Sequence, residues 1–218
     1  NLLPENFRKG KGSFYTPRKI VKFMCVEVLK NYLLSKPELK SKSDFIINLV
    51  ENNPLFFEKY FLKNPNSSNK VFLENINKYL INIKICDPAI GSGAFPVQLM
   101  NEIVGIRKNI LEMLNIKYST YNLKRDFIEN SIYGVDIDKG AIEISKLRLW
   151  LSLIVDEKNI NNINPLPNLS FKIIQGNSLI QKYNNFDFDK DETDELFVDE
   201  ETNKYKAELI EIQKKYFN

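Results

Sequence analysis

The sequence predicts an α/β protein: a partial, doubly wound parallel sheet holding its first three strands, preceded by an N-terminal helical region. Three observations predict it. Short apolar runs ending at Asp87, Asp136 and Asn177 alternate with long helical patterns, the signature of parallel strands joined by crossover helices. The first run leads directly into Asp87-Pro88-Ala89-Ile90-Gly91-Ser92-Gly93-Ala94-Phe95, an acid and a glycine turn that open a helix. A later helix, Lys139–Val155, is apolar almost all round, as expected of one buried on several sides.

Residues 1–16 read as an extended arm hinged at Gly10 and Gly12. Thr16-Pro17 then reads as the N-cap and first residue of a helix, continued by Ile20, Met24, Val28 and Tyr32 at helical spacing. Residues 36–80 form an irregular insertion with helical pieces near 44–51, 54–62 and 70–81, and Asn64–Asn69 is a loop by composition. Ile83–Cys86 is the first strand. Ala94–Leu114 is a helix with Val97, Met100, Val104, Leu111 and Leu114 on one side. A short helix at 123–129, a second strand at Ser131–Val135 and the apolar helix follow. After a loop at 161–168 comes the third strand, Phe171–Ile174, ended by Gly176-Asn177-Ser178. A polar helix is expected from Thr202. The expected organisation is therefore 1–81 for the arm and helical region, 82–185 for the α/β core, and 186–218 for an acidic linker and C-terminal helix.

Ligands of such sheets sit at the carboxyl ends of the strands, where Asp87, Asp136 and Asn177 stand. Glycines at 91 and 93 let backbone approach a ligand closely, a side chain at Gly93 would fill the turn, and a helix start offers free N–H groups. The turn lacks the Gly-Lys-Ser/Thr ending of a phosphate loop, and Pro96 occupies the third glycine position of a dinucleotide site. Asp136 also lies well beyond the roughly 20 residues that separate turn and acid in dinucleotide sites. An acceptor at Asp87 suits a cationic ligand end, an amine or sulfonium, which points to S-adenosylmethionine (SAM). Asp136 can accept both ribose hydroxyls, with Ile137 against the adenine face and Asp138 capping the next helix. The Asn177 amide matches an adenine edge, though an Asn after Gly also suits a plain turn. Gly12-Ser13-Phe14-Tyr15-Thr16-Pro17 adds hydroxyls at a second helix start, able to hold a carboxylate or simply to cap.

Histidine is absent, which removes imidazole catalysis and the usual zinc sites. The two cysteines, Cys25 and Cys86, lie in apolar patterns and suggest a reducing cytoplasm with no metal. No apolar run reaches the roughly 18 residues of a membrane span. Net charge is only +3, but Arg8, Lys9, Lys11, Arg18, Lys19 and Lys22 form an acid-free basic segment, and Asp187–Glu201 is strongly acidic. That acidic stretch reads as a solvated linker.

Taken together and in this order, the four motifs resemble those of the N6-adenine DNA methyltransferases of restriction–modification systems, particularly large methylases in which both activities are often fused. The resemblance covers about residues 8–180. It implies a Rossmann-like methyltransferase sheet and a SAM site. Tyr15 and Thr16 would come from the N-terminal motif, with Asp87, Ala89, Gly91, Gly93 and Phe95 from the glycine motif. Asp136 and Ile137 would come from the ribose motif, and Asn177 and Ser178 from the adenine motif. It implies double-stranded DNA as partner, through the full-length protein, with the target adenine flipped from the duplex. The family's catalytic Asn/Asp-Pro-Pro-Tyr/Phe is missing. Asn53-Pro54-Leu55-Phe56 and Asn164-Pro165-Leu166-Pro167 are the nearest strings, and both precede the third strand. The expectation is a cytoplasmic methylase truncated before that tetrapeptide, inactive alone, with the first strand an open edge prone to self-association. A small-molecule or RNA methyltransferase, and a DNA-binding module using the basic arm, are the alternatives.

Overall fold

Pro17 locks the entry to the first helix, α1 (Arg18–Leu34), from the N-cap position at φ −56° and ψ 141°, and its carbonyl accepts the amides of Ile20 and Val21 at 2.9 and 3.1 Å. The computed structural model describes residues 16–53, 67–157, 168–180, 182–183 and 186–187. The expected arm at 1–15, the helical piece at 54–62, all but the end of the 161–168 loop, the acidic stretch after Asp187 and the helix from Thr202 lie outside them. The cap expected of Thr16 falls one residue later, and no side chain caps the helix. The apolar row that marks this helix in the sequence is not the buried one. Val21, Cys25, Leu29 and Leu33 are buried, while Ile20, Met24 and Val28 are about half exposed. Both rows have the same i, i+4 spacing, so periodicity alone could not choose between them.

A 3-10 turn (Pro37–Lys42), α2 (Ser43–Val50) and α3 (Ser67–Ile81) follow, so the last residues of the expected 64–69 loop already belong to a helix. Leu39, Ile46, Leu49, Leu73 and Ile76 join the row of α1 in one continuous apolar core with the α/β part. Beyond β1 (Ile85–Asp87), the long α4 (Ala94–Met113) lies against α1 and α3. Arg107 of α4 is buried. It donates to Asp126 of α5 (Thr120–Asn130) at 2.9 Å and to Asn77 of α3 at 3.2 Å, tying three helices together.

The sheet has the order β1-β2-β3, all parallel, with β2 at Ile132–Asp136 and β3 at Ile173–Gln175. Its register pairs Asp87 with Gly134 and Asp136 with Gln175, which brings the carboxyl ends of the strands side by side. Ile132, Gly134 and Ile173 share a buried face. On the other face Cys86 and Ile174 are exposed. At the opposite end of the strands, Lys84 and Lys172 donate to the Asn130 and Glu129 carbonyls, placing cations on the negative terminus of α5.

The apolar helix α6 (Lys139–Ile154) packs on β2 and β3. The expectation that it is buried on several sides is not met: Ile142, Ser145, Leu149 and Leu153 are inside, while Ile144, Leu147 and Leu151 are half exposed. Among the described residues its neighbours are β2, β3, α4 and α5, and apolar composition alone does not say which side of the helix they cover. A second compact unit, 179–218, contains the antiparallel pair Lys182–Tyr183 and Phe186–Asp187, too short to leave a period in the sequence. Among the described residues no helix is long and apolar enough to cross a membrane.

Gly134 sits mid-strand because a Cβ there would lie 2.3 Å from Cδ1 and 3.1 Å from Cβ of Ile90, whose side chain plugs the glycine turn onto β2. Gly134→Ala is expected to lower stability by about 1–3 kcal/mol through overpacking. Adding Ile90→Val, which removes Cδ1, should recover part of the loss. Denaturant melts of the two variants check this, and a Gly134→Ala midpoint equal to wild type refutes the plug.

Candidate functional site

The turn after β1 is built from local and cross-strand hydrogen bonds. Asp87 Oδ1 accepts the Ala89 amide at 3.1 Å. The Ile90 amide crosses to the Val135 carbonyl of β2 at 3.0 Å, and the Gly91 amide reaches Asp136 Oδ2 at 2.8 Å. Gly93 donates to the Ile90 carbonyl at 2.9 Å, and its own carbonyl accepts Val97 N–H at 3.2 Å, starting α4. Gly91 and Gly93 adopt φ of 53° and 78°, the left-handed region that favours glycine. They differ in surroundings. A Cβ on Gly93 would meet Ser145 of α6, 3.0 Å from its Cβ and 3.2 Å from its Cα, whereas a Cβ on Gly91 would find only the Ala89 carbonyl at 4.0 Å. Gly93 therefore serves helix packing, and Gly91 leaves open space above the turn.

Asp136 uses both carboxylate oxygens, Oδ2 for Gly91 and Oδ1 for the Asp138 amide at 2.9 Å. Its backbone carbonyl accepts Gly176 N–H at 2.9 Å, fastening β3 to β2. Asp138 Oδ1 accepts Gly140 N–H at 2.8 Å and caps α6, as the sequence predicts. Ile137 is 69% exposed, and its carbonyl accepts Gln175 Nε2 at 3.0 Å. Asn177 is exposed in the turn after β3. Ser178 Oγ donates to the Pro88 carbonyl at 2.5 Å, back across the sheet to the first turn. The ends of all three strands are thus joined in one hydrogen-bonded set.

Of the predicted site residues, Asp87, Ala89, Gly91, Gly93, Asp136, Ile137, Asn177 and Ser178 gather at these strand ends. Phe95 begins α4 and is partly buried against the core. Its carbonyl faces the Cys25 thiol of α1 at 3.9 Å. Tyr15 lies outside the described residues. Thr16 precedes α1, and no hydrogen bond among the described residues ties it to the strand ends. Sequence reasoning missed Ile90, Ser145, Gln175 and Pro88. Gly134, a glycine inside a strand, was the one available signal of a close approach.

Burial pushes the Asp87 carboxyl above its ordinary value, and the nearby Asp136 charge adds to this, while the Ala89 amide opposes it. Burial likewise pushes the Cys25 thiol up to about 12, with Glu102 and Asp87 adding to it, so Cys25 is a protonated core residue. Neither Asp87 nor Asp136 has an ion-pair partner among the described residues. The amides of Ser92, Ala94 and Phe95 have no acceptor among them either. The arrangement offers anionic oxygens to a cationic or hydroxylated ligand and free N–H groups to a carboxylate or oxyanion.

Residues 62–202 match the family model described as MmeI, DNA-methyltransferase domain. A Methanocaldococcus jannaschii protein provisionally named a type II restriction enzyme and methyltransferase is 34% identical over 195 residues, covering 83% of this chain and 15% of that protein. DNA methyltransferase A of Bacillus subtilis is 31% identical over 102 residues, covering 45% of this chain and 11% of that protein. Adenine-specific methyltransferase BrxX of Escherichia coli is 27% identical over 149 residues, 67% of this chain and 11% of that protein. The chain thus spans only a small part of the length of these relatives.

A carboxyl whose folded-state pKa is raised binds its proton more tightly in the folded state than in the unfolded one. The ligand-free chain therefore loses stability as pH rises from the ordinary carboxylate range through the raised value of Asp87. Asp87→Asn, which keeps an oxygen for Ala89, should be more stable than wild type at neutral pH, with the advantage fading as pH falls below that window. Thermal melts across pH test this, and an advantage that does not change with pH refutes it.

Proposed function

The chain belongs to the family of DNA-methyltransferase domains of the MmeI type, and from that premise we propose that it binds SAM for an enzyme that methylates adenine N6 in double-stranded DNA within a restriction–modification system. The observation that carries the cofactor reading is the pair of acids at adjacent strand ends, unpaired by any cation among the described residues, around a turn with free amides. SAM has a sulfonium, an ammonium, two ribose hydroxyls and a carboxylate, and the donor set fits each. Asp87 suits the cationic amino-acid end, and the remaining lone pairs of Asp136 suit the ribose. The free amides at 92, 94 and 95 suit the carboxylate, and the open side of Gly91 leaves room for backbone approach.

When bound, SAM supplies an activated methyl group. The residues of this chain hold and orient it, and the chain contains no Asn/Asp-Pro-Pro-Tyr/Phe to engage the target amine. The reading therefore assigns the transfer step to a part of the parent protein that carries that tetrapeptide, and leaves this chain inactive alone. The adenine assignment draws on the BrxX relative, named adenine-specific, and on the motif order. A cytoplasmic setting is part of the same proposal, as is self-association of the isolated chain. Among the described residues β1 pairs only with β2, leaving its other edge without a ladder.

Titration calorimetry with SAM tests the cofactor. Asp136→Ala should weaken binding by about 1.5–3 kcal/mol, the usual worth of hydrogen bonds to a charged group, and an unchanged affinity removes Asp136 from the site. Nucleoside analysis of DNA treated with the parent protein and SAM should give N6-methyladenine. A methylated cytosine, or transfer to RNA or a small acceptor alone, overturns the substrate assignment. Sedimentation of the isolated chain should show association rising with concentration, and a stable monomer at high concentration counts against the open edge.

A further inference from the structure

We infer that Ser178 is a positioning residue: its hydroxyl holds the Asp87–Pro88 limb of the glycine turn and so aims the Asp87 carboxylate, rather than gripping the nucleoside of a ligand. The turn is fixed unevenly. Its cross-strand bonds, Ile90 to Val135 and Gly91 to Asp136, both lie at or beyond residue 90. Between Asp87, where the β1–β2 ladder ends, and Ile90, the bond internal to the turn is Ala89 N–H to Asp87 Oδ1, which ties the turn only to its own strand end. Pro88 has no N–H to give, so its carbonyl is its one backbone anchor. The Ser178 hydroxyl, 90 residues later, supplies the donor at 2.5 Å. Ser178 is itself held, because Gly176 two residues before it is bonded to the Asp136 carbonyl at 2.9 Å. A hydroxyl has a single proton, and here that proton is spent on Pro88. The end of β3 therefore acts as a strut between β2 and the limb that carries Asp87.

The effect on ligand binding rests on the SAM reading above, whereas the effect on the turn does not. If Ser178 works through Asp87, its loss should be felt by ligands with an amino-acid end and not by those without one. Calorimetry with SAM and with 5′-methylthioadenosine, which keeps the nucleoside but lacks the amino-acid end, separates the two. Ser178→Ala should weaken SAM about tenfold, the worth of one good hydrogen bond, and change methylthioadenosine less than about twofold. Ser178→Thr, which keeps the hydroxyl, should restore SAM binding. Equal losses on both ligands, or no loss of SAM, overturn the inference while leaving the SAM reading standing. If the wild-type chain binds neither ligand, the SAM reading falls and amide exchange at Ala89 decides the inference. Faster exchange in Ser178→Ala, restored in Ser178→Thr, supports the strut, and unchanged exchange refutes it.

Discussion

One carboxylate holds the strand ends together. Asp136 accepts Gly91 N–H on one oxygen and Asp138 N–H on the other, so the glycine turn and the start of α6 share a single anion. Hydrogen bonds to a charged acceptor are each worth roughly 1.5–3 kcal/mol, more than neutral ones. They act here on a turn whose two glycines sit in the left-handed region, which an unrestrained chain would leave. The apolar counterpart is Ile90 pressed onto Gly134 across the same gap. The turn is therefore shaped before any ligand arrives, which lowers the ordering cost of binding.

The elements were legible in the sequence wherever a local signal coincided with a period. The apolar run read as Ser131–Val135 and the cap at Asp138 mark β2 and the start of α6 without any tertiary information; the cap is found as read and the strand one residue later, at Ile132–Asp136. What the sequence could not say is which side of a helix has a neighbour. In α1 two apolar rows run one residue apart, and the row containing Cys25 is the one that faces α4. In α6 the apolar residues encircle the helix, yet only the row Ile142, Ser145, Leu149 and Leu153 meets the core. Burial is a property of the contact and not of the helix, so a sequence rich in Ile and Leu on every side overstates it.

The acids of the candidate site were legible for a different reason. A carboxylate that ends an apolar strand stands out because it is costly there without a role. The supports around them were not legible. Ser145 against Gly93 and Ser178 on Pro88 join residues far apart in the chain, through side chains that are ordinary in their local context. The two glycines of the turn look alike in sequence and both hold left-handed backbone angles, yet Gly93 is pressed by a neighbouring helix while Gly91 faces open space. Spacing reports neither distinction, because neither is periodic.

The electrostatics of the strand ends favour the proposed ligand class over a purely structural role. The chain carries 31 Lys and Arg residues, and elsewhere it pairs acids readily, as in Arg107–Asp126 and Lys124–Asp156. At Asp87 and Asp136 it does not: among the described residues no cation forms an ion pair with either. Instead burial disfavours the charge on Asp87, and the nearby Asp136 adds to this. A site selected for stability alone would remove one acid or bring in a lysine, since like charges at partial burial destabilise the folded state. Backbone amides satisfy part of the demand, but they carry no net charge. The deficit left over is a positive one, located where the turn opens beside Gly91. In the proposed reading a cationic ligand end would supply that charge, so the acid pair, rather than the glycines, supports it.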